Sequence, residues 1–186
     1  MKKIFVILFA MMLFLTGCGG SVETSAADPN SGQEADQPKT EAVESSIPGS
    51  WTVPEGWVKA DAYSTADKIF YVEEGHEDDE LPDNISIEVG TNRYSSSEHE
   101  KFRDAIVRQF SMQLAGVDAT LTGDGSFTEQ EYILYTFTIS EEDVVTTQLY
   151  IVGDQRYCLI HLTNFTGSEG TAEAARAIAD SFVWNE

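Results

Sequence analysis

Apolar and polar positions in the second quarter of the chain follow the pattern of β-strands. Ile85, Ile87 and Val89 alternate with polar residues, which is the period of a strand with one buried face. Two other β-like segments precede them: a short strand from Ser50 that stops at the turn Pro54-Glu55-Gly56, with Trp57 against the core, and residues 68–72. This part of the sequence therefore predicts three strands.

A helical period follows these strands. Apolar residues recur at intervals of three and four between Phe102 and Leu114, and Gly116 predicts the end of the helix. Ser97, with Glu100 three residues later, predicts a capping box at its start.

Four further strand-like segments and a second helix complete the pattern. The segments are residues 119–121, 131–139, 144–152 and 157–165, and the first two are separated by the predicted turn Gly123-Asp124-Gly125. The closing helix is predicted over residues 171–182. Strands that are grouped, rather than alternating with helices, predict an α+β domain on an antiparallel sheet, in the order strand-strand-strand-helix-strand meander-helix.

The meander strands carry two kinds of face. We expect the main core to contain Ile133, Tyr135, Phe137, Ile139, Cys158, Ile160 and Leu162. The opposite face is aromatic and polar, and we expect it to contain Tyr132, Leu134, Thr136, Thr138, Gln148, Tyr150, Tyr157, Leu159 and His161. Aromatic rings and converging polar groups are typical of binding sites. We therefore define a candidate ligand face on this side of the sheet, which consists of Tyr132, Tyr150, Tyr157 and His161. The alternative is that a helix or the segment from Trp51 to Trp57 covers it.

The first eighteen residues have the pattern of an export signal. Lys2 and Lys3 precede an apolar run from Ile4 to Leu15, which is shorter than the about 20 residues of a membrane-spanning helix. The run ends in Leu15-Thr16-Gly17-Cys18, which resembles the lipobox of bacterial lipoproteins. The resemblance implies cleavage after Gly17 and a diacylglycerol thioether on Cys18, often with a further acyl chain. The alternative is an ordinary secretory signal followed by a chance cysteine.

These patterns divide the chain into three parts. Residues 1–17 are the expected lipoprotein signal peptide. Residues 18–47 contain Cys18 and then a stretch without aromatic residues, too poor in large apolar groups to offset the entropy of folding, so we expect a disordered acidic tether. Residues 48–186 are expected to form a single globular domain. The domain would lie on the extracytoplasmic side of a bacterial cell membrane, either at a monoderm surface or in a diderm periplasm.

Charge narrows the range of partners. The whole chain has a formal charge of −21, and removal of the signal leaves 9 basic against 32 acidic residues. Neither nucleic-acid binding nor adsorption to anionic lipid is expected without a basic patch, so the lipid itself must hold the protein at the membrane. If Cys18 is lipidated, Cys158 has no partner for an intramolecular disulfide.

Candidate metal chemistry is concentrated between Glu73 and Asp83. Seven acids in this stretch could attract Ca²⁺, which would make the protein a calcium-responsive module, but their spacing does not match an EF-hand, and a solvated loop is the alternative. His76-Glu77 lacks the second histidine of a zinc-protease motif. We therefore assign no metal and no cofactor.

Candidate catalytic chemistry is limited to two residues. His161 is the best candidate for a general acid or base. If it acted together with acids of the Glu73 to Asp83 loop, the protein would be a small envelope hydrolase. No motif pairs His161 with a nucleophile. Cys158 stands among apolar residues, the setting of an inert buried thiol. We assign no catalytic residue and expect a protein that is not an enzyme.

Three segments together resemble the PsbP-like family and related small bacterial lipoproteins. They are Ser50 to Trp57, the stretch Asn84 to Val89 followed by the helix Lys101 to Gln113, and the ending Ala177 to Trp184. The resemblance implies an α/β/α sandwich and a role as an adaptor or accessory protein without a shared active site. It carries over no functional residue. The sequence thus favours a noncatalytic, membrane-anchored module that binds an unidentified protein or small ligand.

Overall fold

The computed structural model describes residues 46–141 and 144–185. The strands there are β1 (Gly49–Ser50), β2 (Trp57–Lys59), β3 (Lys68–Glu73), β4 (Asn84–Thr91), β5 (Thr120–Phe127), β6 (Ile133–Glu141), β7 (Val144–Val152), β8 (Arg156–Asn164) and β9 (Val183–Trp184). The helices are α1 (His99–Gln113), which a 3-10 turn at Ser96–Glu98 precedes, and α2 (Glu169–Ser181).

Seven strands form the central sheet in the order β2-β3-β4-β8-β7-β6-β5, and every neighbouring pair is antiparallel. β4 and β8 meet in the middle because α1 and the β5–β7 meander are inserted between them along the chain. The predicted α+β class with an antiparallel sheet is confirmed.

The two helices cover opposite faces of the sheet. α2 buries Ala175, Ile178 and Ala179 against a core that includes Ile85, Ile87 and Ile160. α1 buries Phe102, Ile106 and Phe110 on the other face, where aromatic side chains of β6, β7 and β8 meet them. Burial of these apolar faces drives the layering, at about 25 cal/mol per Å² of apolar surface.

The N-terminal entry and the C-terminal end pack together. β1 pairs with β9 in a separate two-stranded sheet, and the ring of Phe182 stacks on that of Trp51 with centroids 6.3 Å apart. Ile47 is also buried in the core on the α2 side. The short strand expected from Ser50 to the Pro54-Glu55-Gly56 turn is wrong beyond Ser50, where strand pairing stops. The turn itself is present, and Trp57 packs against the core as expected.

Two local predictions need correction. The capping box lies at Ser95 and Glu98, two residues before the predicted pair, because the 3-10 turn adds a turn ahead of α1. The predicted turn at Gly123-Asp124-Gly125 is instead the middle of β5, paired residue for residue with β6. A Cβ atom on Gly123 would lie 2.8 Å from a ring carbon of Phe137, so the ring fills the space that a side chain would need.

The register of β6 corrects the predicted faces. Glu141 pairs with Val144, which places Tyr135 opposite Tyr150, and Tyr150 in turn opposite Leu159. The odd-numbered residues of β6 therefore share a face with Tyr150 and Leu159, not with Cys158 and Ile160 as expected.

Within the part of the chain described here, neither helix is long and apolar enough to cross a membrane.

Candidate functional site

Tyr150 and Tyr157 lie beneath α1. Tyr150 is fully buried and Tyr157 is 4% exposed. The Phe102 ring contacts both, with centroid distances of 5.8 Å to Tyr150 and 5.4 Å to Tyr157. Burial, aided by the charge of Glu88, raises the pKa of Tyr157 to about 12. α1 therefore covers this part of the candidate ligand face.

Tyr132 belongs to the opposite side of the sheet. It packs against the core on the α2 side, among residues that include Leu134 and Ile151. The structure thus brings Tyr150, Tyr157 and His161 to one face and separates Tyr132 from them. The four residues do not form one surface.

His161 lies on the α1 side of the sheet, in the middle of a row of three polar residues on neighbouring strands. Its strand neighbours in register are Ser86 on β4 and Gln148 on β7, both buried. The Tyr150 hydroxyl donates a hydrogen bond of 2.6 Å to the side-chain oxygen of Gln148. Burial, with a smaller contribution from the charge of Lys68, lowers the pKa of His161 to about 4. The imidazole is therefore neutral at pH 7 and a weak base.

We expect the free energy of unfolding to fall as the pH drops from 6.5 to 4, and the fall to be smaller in His161→Gln. The folded protein keeps His161 neutral down to pH of about 4, whereas the unfolded chain binds this proton near pH 6.5, so protonation favours unfolding in this window. The stabilisation is complete above pH 6.5 and lost below pH 4. The shift converts to roughly 3 kcal/mol, which partial exposure of the ring reduces to about 1–3 kcal/mol. Urea titrations of both proteins at several pH values would measure the difference. Parallel pH curves for the two proteins would contradict the assignment.

Cys158 is a buried thiol on the α2 side of the sheet. It is fully buried, and burial, followed by the charge of Glu88, raises its pKa above the ordinary value. The expected burial of this thiol is confirmed. The nearby guanidinium of Arg156 lies over the ring of Trp184, 4.2 Å from its centroid.

The acidic stretch from Glu73 to Asp83 is built differently at its two ends. In its exposed part His76 and Asp79 form a contact of 2.7 Å. Asp83 is buried, and its carboxylate accepts hydrogen bonds from Phe165, Thr166 and Thr171. These bonds occupy the oxygens that a cation would need. Across residues 46–141 and 144–185, no group of three or more His, Cys, Asp and Glu side chains is placed to hold a metal ion.

A groove between α1 and β5 is open to solvent. Its volume is about 390 Å³, and its lining residues are Arg103, Val107, Leu121, Gly123, Asp124, Gly125, Tyr135 and Phe137. Because Gly123 and Gly125 have no side chains, the rings of Phe137 and Tyr135 lie close beneath the strand. The groove therefore combines an apolar floor with accessible backbone.

α1 fixes one wall of this groove. His99 Nδ1 lies 2.7 Å from the Tyr135 hydroxyl, which holds the ring at the base of the helix. The guanidinium of Arg103 lies 5.9 Å from the centroid of the same ring and bonds to Asp104 at 2.9 Å. Val107 stands on the same wall and is 38% exposed.

Among the described residues no further strand pairs with β5, which forms one edge of the sheet and is eight residues long. The N–H of Thr128 donates to the carbonyl of Tyr132 at 2.9 Å. Because antiparallel residues alternate between bonding the partner strand and facing away from it, odd-numbered residues of β5 present their N–H and C=O groups outward. The outward positions are Leu121, Gly123, Gly125 and Phe127. The opposite edge, β2, has three residues.

Two outward groups are already bonded within the chain. The side chain of Asp124 accepts from the Gly125 N–H at 2.8 Å, and Arg176 donates to the Phe127 carbonyl at 2.9 Å. Arg176 also bonds Asp180 in the 570 Å³ depression on the outer side of α2. At Leu121 and Gly123, which also line the groove, no such bond within the described residues occupies the outward groups.

The α1–β5 groove was not predicted from the sequence. The detectable signal was the placement of Gly123 and Gly125 two residues apart, in alternation with Leu121 and Phe127, which is the period of one strand face. What hid it was the resemblance of Gly-Asp-Gly to a turn.

No family model matches this chain, and no curated protein does. Among solved structures, it is similar to the solution structure of cyanobacterial PsbP (CyanoP) from Synechocystis sp. PCC 6803. The two share 11% sequence identity with a TM-score of 0.47, over 76% of this chain and 89% of that one.

Proposed function

We propose that this protein is a noncatalytic binding module, held by a lipid on Cys18 at the extracytoplasmic side of a bacterial membrane, and that the α1–β5 groove is its binding surface. The observation that carries the proposal is that this groove lies directly beside the free edge of β5. An apolar floor and outward backbone groups at one place suit a protein or peptide ligand.

The environments of the candidate catalytic groups support a role without catalysis. His161 has a pKa near 4, and its register neighbours are Ser86 and Gln148 rather than a carboxylate. Cys158 is buried with a raised pKa, which disfavours the thiolate that a nucleophile needs. In the acidic stretch from Glu73 to Asp83, the buried acid Asp83 is bonded to backbone and hydroxyl donors.

The membrane assignment is supported by the sequence. The lipobox-like segment ends at Cys18, and the acid-rich composition cannot by itself attract the chain to an anionic membrane. The tether after Cys18 would let the groove reach partners beside the bilayer.

Site-specific crosslinking in cells tests the binding surface. A photoreactive amino acid at Val107 is expected to give a discrete crosslinked product in the membrane fraction. The same amino acid at Tyr63, which is 57% exposed and lies in the connection after β2, serves as the control at the other edge of the sheet. Equal products from both positions, or none from Val107, would contradict the assignment of the groove.

A further inference from the structure

The β5 edge has few of the devices that usually prevent strand pairing, apart from the charge of Asp124 and the bonds that Gly125 and Phe127 make within the chain. Exposed edges are commonly protected by lysine, proline, a bulge or a very short strand. β5 has eight residues, contains neither lysine nor proline, and pairs with β6 residue for residue without a bulge. An added strand would therefore find a regular backbone to bond.

The charges near this edge favour a basic partner. Asp118, Asp124 and Glu129 are exposed on or beside β5. The one cation in the groove lining, Arg103, is already paired with Asp104. With a formal charge of −21 on the whole chain, a cationic segment is attracted both at long range and at the edge.

The same charges disfavour two other occupants. A second copy pairing through β5 would bring two Asp124 carboxylates into one small interface between two strongly acidic molecules. Residues 19–45 of this chain are mainly acidic among their charged residues, and they would also be repelled by Asp118 and Asp124.

We propose that the groove binds an extended, basic segment of a partner protein, which adds to the sheet as an eighth strand beside β5. This inference rests on the proposed function and names its partner class. The segment bonds the outward N–H and C=O groups of Leu121 and Gly123. Side chains on one of its faces point toward the groove wall at Val107 and are apolar, whereas those on the other face point to the side of Asp124 and are lysine or arginine.

The test uses the full lipidated protein in nonionic detergent and two short peptides, one of alternating valine and lysine and one of alternating valine and glutamate. Fluorescence anisotropy is expected to show binding of the lysine peptide only. Amide hydrogen exchange, followed by NMR, is expected to slow by about tenfold or more at Leu121 and Gly123, since these N–H groups gain an acceptor. Adsorption by charge alone would leave their exchange unchanged and would overturn the proposal.

Three variants sharpen the result. Leu121→Pro removes an outward N–H without removing a bond to β6, and is expected to weaken binding by about tenfold. Asp124→Lys is expected to weaken lysine-peptide binding, whereas Asp118→Lys changes the net charge equally outside the strand and is expected to have less effect. Circular dichroism confirms that each variant is folded.

Other outcomes are also decisive. Equal binding of both peptides, or binding that Leu121→Pro leaves intact, overturns the strand-addition proposal. Concentration-dependent dimerisation that protects the same two amides assigns the edge to a second copy, and protection without peptide that disappears when residues 19–45 are deleted assigns it to the tether. If the peptides fail but crosslinking from Val107 still gives a discrete product, the proposed function stands and this inference falls.

Discussion

Asp83→Ala is expected to lower the free energy of unfolding by about 3–5 kcal/mol. One carboxylate oxygen accepts the backbone N–H groups of Phe165 and Thr166 at 2.7 and 3.0 Å, and the other accepts the hydroxyls of Thr166 and Thr171 at 2.6 and 3.1 Å. A hydrogen bond to a charged group contributes about 1.5–3 kcal/mol, and four bonds to one carboxylate do not add fully. Chemical denaturation monitored by circular dichroism measures the loss.

The position of Asp83 explains why the effect is large. It lies just before β4, at the centre of the sheet, and it bonds to the connection between β8 and α2. Thr171, inside α2, is fully buried, so its hydroxyl cannot replace the lost acceptor with bulk water. The carboxylate therefore ties the helix layer to the sheet.

A matched control separates this role from general loss of acidity. Asp79→Ala removes an exposed acid of the same stretch, whose recorded partner is His76, and little change in stability is expected. Similar losses from both variants would contradict the structural role of Asp83. If added Ca²⁺ stabilised the wild-type protein but not Asp83→Ala, the carboxylate would be a cation ligand instead.

Loss of the sulfur at position 18 is expected to move nearly all of the protein out of the membrane fraction. The variant is Cys18→Ser behind a general secretory signal with its own cleavage site, so that no uncleaved signal remains as an anchor. Two or more acyl chains, at about 0.8 kcal/mol per buried CH₂, make attachment stable, and the acid-rich mature chain has no electrostatic substitute for them. Cell fractionation and mass spectrometry of the N-terminal peptide give the readout.

The second cysteine provides the control. Cys158→Ala removes a buried thiol and is expected to leave the protein in the membrane fraction. A native N-terminal peptide with an unmodified sulfhydryl at Cys18, or a Cys18→Ser protein that stays membrane-bound, would contradict lipid anchoring.

The local pattern of apolar and polar residues was sufficient to predict the type and the order of most helices and strands. The spacing of apolar residues indicates which side of an element is buried. It alternates at Ile85, Ile87 and Val89, where the structure has β4, and it is helical from Phe102 to Phe110, where the structure has α1. The antiparallel α+β class follows from the grouping of such segments, because grouped strands with short connections pair with their neighbours in sequence.

Tertiary structure alone decided which strand faces belong together. Side chains alternate with a period of two, so one step in the pairing of β6 with β7 exchanges its faces. The pairing of Glu141 with Val144 placed Tyr135 beside Tyr150 and sent Tyr132 to the α2 side. The candidate ligand face was therefore divided, and α1 covers Tyr150 and Tyr157 but not Tyr132.

The candidate binding surface likewise depends on contacts between distant residues. From the local sequence alone, Gly123-Asp124-Gly125 is predicted to be a turn, since glycine weakens a strand. In the folded chain the rings of Phe137 and Tyr135 occupy the space that side chains at Gly123 and Gly125 would need, and pairing with β6 holds the backbone extended. The sequence by itself determined the acidic charge and the kinds of elements, and it predicts an export signal, because these depend on composition and on neighbouring residues. Pairing register and long-range packing created the free edge and its groove.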